Sequence, residues 1–545
     1  MLGLRPLDRG LLLALLIAGL VLLPRAFLIA RAHSETYDEG YHLSRGARFW
    51  SKELADVPLN DPPLGEALAA LPVLAAHRGQ EWESERDPER NLLLTHLWMS
   101  LLFLPAAGVA FVWGRSLYGA RAGWLALLLL LVEPTFAAHV PLATLDALGV
   151  SGALIGSFLL WRAFEAPSAT RLVAAAASVA VALMLKHTTL ALLGVTAGFA
   201  ALFWVVRPLR RGAGLPGCTK ELRPRLMAIA AAILVGVLAL WALTLFDVST
   251  PHPMDDWGRP AGNVPVFLQR PVPGGLYLTA LFQGLAHAGQ GHFGYLFGER
   301  RLTGWWYYFP ALLLYKTPLG VAFIVVIALL SLRWYRPRFE EWGLVVPLVA
   351  WTTLMMTSRV NIGFRHFLPA WIFALLLASR CLARGDGDSP APRWVAPAAW
   401  GGLAAAALHV ASFHPDYLSY INFPRDRPYL AISDSNLDWG QGLKQVRAWL
   451  DAHPQPPDRP VHLLYFGDDA SGRRIERYMG GRVSFALRPE PLPPRGLVIA
   501  SPVWVAGPYD PDGTYASLRT MTPVDVIGHS MLVYDLDRRE QHFAR

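Results

Sequence analysis

Leu11-Leu12-Leu13-Ala14-Leu15-Leu16-Ile17-Ala18-Gly19-Leu20-Val21-Leu22-Leu23 opens an apolar run that extends to residue 29, and shortly beyond its end stands Tyr37-Asp38-Glu39-Gly40-Tyr41-His42. The run is long enough to cross a hydrocarbon core, which takes about 20 residues. Two adjacent carboxylates so near its end lie at the water–lipid boundary, where the phosphate headgroup of a lipid sits. The same run also fits the apolar region of a secretory leader, with Ala30-Arg31-Ala32 as the small-x-small cleavage site. Under either reading Asp38 lies across the membrane from the N-terminus.

Composition extends the membrane reading to the whole chain. Of 545 residues, 53% are hydrophobic and 17% charged, against roughly 25% charged in average soluble proteins. The net charge of +8 does not mark a nucleic-acid partner, because the Lys and Arg residues are scattered among short loops and form no single basic face. Further apolar segments at 92–113, 122–138, 142–161, 172–186, 189–206, 226–246, 309–332, 342–357, 364–380 and 394–413 bring the expected count to about eleven spans, some tilted or partly re-entrant.

The loops test that threading, because Lys and Arg resist translocation. Arg5 and Arg9, Arg115 and Arg121, Arg162 and Arg171, the set Arg207, Arg210, Arg211, Lys220, Arg223 and Arg225, then Arg333, Arg336 and Arg338, and Arg380, Arg384 and Arg393 all fall on one side. The expectation is a multi-pass protein of the cell (inner or plasma) membrane, with a cytoplasmic N-terminus and a non-cytoplasmic C-terminus. Cys218 and Cys381 fall on the cytosolic side and are expected to form no disulfide.

The outer side then receives residues 31–90, residues 247–308 and the tail. The tail holds short β-rich runs at 461–466, 496–500 and 531–534 and an amphipathic stretch at 443–450. The division expected is a transmembrane module over 1–413 and a small soluble α/β domain over 414–545.

Asn60-Asp61-Pro62-Pro63-Leu64-Gly65-Glu66 follows the first acidic pair, and its two prolines place a turn before an amphipathic helix lying along the interface. Further on come Val132-Glu133-Pro134, Thr144-Leu145-Asp146, Lys186-His187-Thr188, Tyr315-Lys316-Thr317-Pro318 and Arg365-His366-Phe367-Leu368-Pro369. In this order and spacing the motifs, spread over roughly the first 420 residues, resemble the polyprenyl-phosphate-dependent glycosyltransferases of the GT-C type. The likeness is to glycosyltransferase family 39, which holds the protein O-mannosyltransferases and related bacterial transferases. The resemblance implies a polytopic helical membrane enzyme that moves a sugar, mannose or a relative, from a polyprenyl-phosphate donor to a protein, glycan or lipid acceptor. It implies Asp38 as catalytic base, Glu39 as its partner and Asp146 as the next acid of the same cavity.

The cations complete that expectation, since a departing lipid phosphate needs fixed positive charge. Lys186, Lys316, Arg359 and Arg365 sit at expected outer ends of spans, against the charge trend, with His366 beside the last. Snorkelling toward headgroups is the other account of each. The chain departs from the family by carrying Asp61 and Glu66 where His and Lys are common, so the phosphate's counter-charge is expected from Arg365 or Lys316.

Histidines 139, 187, 252, 287 and 292 are not spaced as metal ligands on one helix, and no structural metal is expected; a divalent ion at Asp38 and Glu39 stays open. Trp257, Phe293-Gly294-Tyr295 and Trp305-Trp306-Tyr307-Tyr308-Phe309 read as an interfacial aromatic belt or as sugar-stacking surfaces. Ser433-Asp434-Ser435-Asn436-Leu437-Asp438-Trp439-Gly440-Gln441 reads equally as a turn with a helix cap or as a sugar or acceptor contact. A transporter or flippase of lipid-linked sugars has similar needs, but such proteins tend to show inverted repeats and mid-span breaks, and neither stands out. A membrane-anchored binding protein working through its tail is the third reading.

Overall fold

The computed structural model describes residues 8–54, 57–77, 87–210, 215–255, 259–383, 392–422, 426–467, 471–486 and 488–538. Arg5, Arg211, Trp257 and Arg384 lie outside them, as do the side chains of Arg207, Arg210, Cys218 and Lys220.

Each of the eleven expected spans coincides with helix. Among the described residues four helices are long and apolar enough to cross a membrane: Arg9–Ala32, Pro88–Tyr118, Asp146–Glu165 and Leu222–Leu243. Tyr308–Lys316 and Leu319–Arg333 pass the same test when taken together, as a pair bent by 115° at their junction. Pro318 caps the second piece, and a proline there removes a backbone donor and clashes with the preceding turn. The remaining apolar helices, including Ala120–Val132, Ala169–Leu185 and Val395–Ala411, are shorter.

The first helix is a packed member of this bundle. Ala14, Ala18, Leu22, Ala26 and Ile29 form a buried stripe at spacings of three and four residues, which is one face of a helix, and the helix packs on Pro88–Leu102 and Leu104–Tyr118. The span reading accounts for that stripe.

A helix, Pro63–Ala76, follows the prolines as expected, and it starts one residue earlier than Leu64, on Pro63, since a proline at the first helical position loses no intrahelical bond. One side of it is packed into the bundle. Gly65, Glu66, Ala67, Ala69, Ala70 and Val73 are buried against Glu39–Ser51, Pro88–Leu102 and Ala169–Leu185. The small residues Gly65, Ala67, Ala69 and Ala70 permit that packing, and Gly46 sets its closeness: a Cβ there would stand 2.0 Å from the Glu66 carbonyl oxygen.

In the segment 247–308, β1 (Val248–Ser249) pairs with β2 (Val272–Pro273), the helix Gly275–Gln290 follows, and β3 (Gly294–Leu296) pairs with β4 (Glu299–Arg301). The tail forms a five-stranded sheet in the order β6-β5-β7-β9-β8, from β5 (Val461–Leu464), β6 (Ser484–Phe485), β7 (Leu497–Ala500), β8 (Asp525–Ile527) and β9 (Met531–Asp535). β5 runs parallel to β6 and β7, and β9 is antiparallel to β7 and β8.

Both faces of this sheet are covered. Leu463, Leu497, Ile499, Met531 and Val533 pack with Leu443, Val446 and Leu450 of the helix Leu443–Ala452. Leu464, Val498, Ala500, Leu532 and Tyr534 join the core that continues into the helical bundle. The period-two alternation of a strand thus joins the α/β unit to the helices. The aromatic run at 305–309 departs from a belt: Trp305, Tyr308 and Phe309 are buried in that core, while Trp306 is exposed.

Candidate active site

Asp38 stands at the N-terminal edge of the helix Glu39–Ser51, with no capping bond from its side chain, and lines a cavity of about 570 Å³. Lys186, Arg359, Arg365 and His366 line it as well, so five of the expected residues come together from segments more than 300 positions apart. An apolar wall of Leu281, Leu285, Leu354 and Met355 stands with them.

Arg365 is the hub. Its Nη1 lies 3.4 Å from Asp38 Oδ2 and 3.5 Å from Asp146 Oδ2, and its guanidinium packs 3.9 Å from the centroid of the Trp439 ring. Asp146, at the first turn of the helix Asp146–Glu165, also accepts from Lys186 Nζ at 2.6 Å. A helix N-terminus favours an anion there. Asp146 is buried behind the two cations and acts on the cavity through them.

Glu39 differs from the sequence expectation. Its carboxylate accepts from His96 Nε2 at 2.9 Å, Ala143 N at 3.1 Å, Thr36 N at 2.9 Å and Thr36 Oγ1 at 3.1 Å, and it is fully buried away from the cavity. Consecutive helical residues point about 100° apart, so an acidic pair adjacent in sequence does not share one face. Burial raises the Glu39 pKa, but His96 and the backbone donors outweigh it and hold the carboxyl below the ordinary range. With Glu39 turned inward, the two acids do not converge on one ion. Among the described residues no group of three His, Cys, Asp or Glu side chains is placed to hold a metal.

Lys316 is the second correction. Its Nζ donates to the carbonyls of Leu418, Tyr420 and Asn436 at 2.9, 2.8 and 2.7 Å. All three ammonium donors are engaged at the bend before Pro318, where they fasten the incoming tail; the residue does not line the main cavity. Arg359, by contrast, is exposed at the cavity and donates to the Gly289 carbonyl at 3.2 Å.

Residues 433–441 are buried throughout; they form a short 3-10 turn at Asp434–Asn436 and a second turn in which Asp438 Oδ1 accepts from Gly440 N, and together these make a strut beneath the site. Asn436 Oδ1 accepts from Phe364 N at 2.9 Å and Ser435 Oγ donates to the Ile362 carbonyl at 2.7 Å, holding the turn that carries Arg365. The carbonyls of Trp439 and Gln441 accept from Tyr37 N at 2.7 Å and Ser34 N at 3.0 Å, holding the turn that carries Asp38. The α/β unit grips the strut in turn. Tyr509 Oη donates to Asp434 Oδ2 at 2.5 Å, Tyr465 Oη to the Gly440 carbonyl at 2.9 Å, and Ser501 Oγ to Asp438.

Sequence reading did not single out His42, Asp61 and His187 as cavity residues, although each lines it. Asp61 Oδ1 lies 3.6 Å from His187 Nδ1. The signal available was position: His42 falls four residues after Asp38, on the same helical face.

No protein-family model matches the sequence, and a search of curated proteins finds no match. Among solved structures the chain is similar to ArnT from Cupriavidus metallidurans bound to undecaprenyl phosphate, at 15% identity and a TM-score of 0.48, covering 96% of this chain and 98% of that one. It is also similar to the oligosaccharyltransferase of Archaeoglobus fulgidus in its apo form (14%, TM-score 0.41, 87% and 64% covered). A third is the arabinosyltransferase EmbB from Mycobacterium smegmatis (14%, TM-score 0.37, 73% and 37% covered).

Proposed function

We propose that this chain is a membrane glycosyltransferase that takes a sugar, mannose or a relative, from a polyprenyl-phosphate carrier and passes it to a hydroxyl of a protein or of a cell-envelope glycan or lipid. The reaction takes place on the non-cytoplasmic side of the cell membrane. The observation that carries this reading is the make-up of the cavity: the carboxylates of Asp38 and Asp61 line the same space as Arg365, Lys186 and Arg359, beside a wall of leucines and methionine. A lipid phosphate needs such cations for its headgroup and such a wall for its chain. The motif order, read as resembling glycosyltransferase family 39, supports the same class.

In this reading the phosphate sits against Arg365, Lys186 and Arg359, which neutralise the charge that grows on it as the glycosidic bond breaks. Asp146 keeps Arg365 and Lys186 in place. Asp38 engages the acceptor hydroxyl on the opposite side of the anomeric carbon. The α/β unit supports the site from the acceptor side through the strut at 433–441.

The test is transfer of labelled sugar from a polyprenyl-phosphate donor to membrane acceptors by the purified protein. Transfer that disappears in Asp38→Asn supports the reading. Donor movement across proteoliposomes without covalent transfer would replace it with a flippase.

A further inference from the structure

His42 Nδ1 lies 2.8 Å from Glu66 Oε1. Glu66 is fully buried, and the same oxygen meets Arg45 Nη2 at 3.0 Å. The pair is built by the close helix crossing at Gly46, one turn beyond His42 on the helix Glu39–Ser51. His42 lines the cavity. Its Cβ stands one turn from that of Asp38, a spacing of about 5–6 Å.

An ionised carboxylate only accepts, so the hydrogen between the two belongs to Nδ1. A neutral imidazole with hydrogen on Nδ1 keeps its lone pair on Nε2, the nitrogen not held by Glu66. Asp38 is differently placed, with Oδ2 already engaged by Arg365. The acid at position 66 therefore contributes a fixed tautomer to a cavity imidazole, in place of a cation facing the phosphate.

We propose that His42 is a catalytic residue, the proton acceptor for the incoming hydroxyl, with Glu66 as the positioning residue that fixes its tautomer. This rests on the glycosyl-transfer reading above. The acceptor O–H bond breaks and its proton passes to His42 Nε2. The acceptor oxygen forms its bond to the anomeric carbon, and the carbon–oxygen bond to phosphate breaks with its electron pair left on the phosphate oxygen. Glu66 stabilises the imidazolium so formed, and Asp38 orients the hydroxyl while steadying Arg365.

Two measurements test this. In the full-length protein, His42→Gln lowers kcat by about 100-fold or more, the range of general base catalysis, with donor KM within about three-fold. Glu66→Gln lowers kcat by about ten-fold at unchanged KM, a split that a merely structural role would not give. A kcat within three-fold of wild type in His42→Gln overturns the proposal. The second measurement needs no turnover: diethyl pyrocarbonate, which attacks an imidazole lone pair, is expected to label His42 in donor-free protein, and bound undecaprenyl-phosphate mannose to slow that labelling at least five-fold. Failure to label His42 under conditions that label exposed His453 overturns it, as does labelling that saturating donor does not slow. If wild-type protein neither binds donor nor transfers sugar, the glycosyl-transfer reading fails, and labelling of donor-free protein still decides whether Nε2 is presented.

Discussion

The guanidinium of Arg365 packs on the indole of Trp439, 3.9 Å from the ring centroid, so the tail supplies one wall of the pocket that holds the central cation. The plane of the ring fixes where Nη1 can lie between Asp38 and Asp146. A desolvated contact of this kind contributes about 2 kcal/mol. Trp439→Leu is expected to lower kcat/KM for sugar transfer by about 10- to 30-fold, and Trp439→Phe, which keeps an aromatic face, by less than five-fold. Kinetics with labelled donor check both.

Asp38 and Glu39 are neighbours with opposite expected outcomes. Asp38→Asn keeps shape and loses charge inside the cavity, so the hydroxyl and Arg365 lose their orienting partner; kcat is expected to fall by about 100-fold with thermal stability near that of wild type. Glu39→Gln keeps one acceptor for four donors in a buried site, so its cost falls on folding, on the order of 1–3 kcal/mol. Thermal melts and turnover per folded molecule, measured on the two variants, separate these effects.

What the sequence disclosed and what it hid divide along a physical line. The apolar runs disclosed the helices, because about 20 apolar residues have one stable solution in lipid. The short β-rich runs at 461–466, 496–500 and 531–534 disclosed strands, because β-branched and aromatic side chains pack well on a pleated surface. Asp38, Lys186, Arg359 and Arg365 stood out as charges at the ends of spans, and the structure brings them to one cavity. The direction of a side chain did not stand out. Glu39 turns inward to His96, 57 residues away, and Lys316 is absorbed by carbonyls up to 120 residues later. Backbone carbonyls leave no mark in a sequence. The pairing of His42 with Glu66 depends on a helix crossing that Gly46 allows.

Arg359 and Lys316 carry the same charge and are expected to fail differently. Arg359 is exposed at the cavity, so Arg359→Ala is expected to raise donor KM about three- to ten-fold with kcat nearly unchanged, an effect that shrinks at high salt as exposed charges are screened. Lys316→Met leaves three buried carbonyls without their donor at the bent helix, so the loss is expected in yield and melting temperature. Donor titrations at two ionic strengths, alongside melts, distinguish them.

Asp438 gives the strut its own pH dependence. Burial pushes its carboxyl up to about 6, although Ser501 Oγ and Gly440 N, the latter at 3.1 Å, both donate to it. A carboxyl raised in the folded state binds its proton more tightly there than in the unfolded chain. Its stabilising contribution is full below the unfolded value near 3.9 and is lost as pH rises through about 6. The total is on the order of 2–3 kcal/mol, at about 1.4 kcal/mol per pH unit. Asp438→Asn cannot titrate, so it is expected to gain stability relative to wild type as pH rises from 4.5 to 7, most of the change falling between the unfolded value near 3.9 and the folded value of about 6. Paired melts of wild type and Asp438→Asn across that range check it: a constant difference would mean that Asp438 does not titrate there. Because the strut also holds the turns carrying Asp38 and Arg365, wild-type activity is expected to lose heat resistance over the same interval.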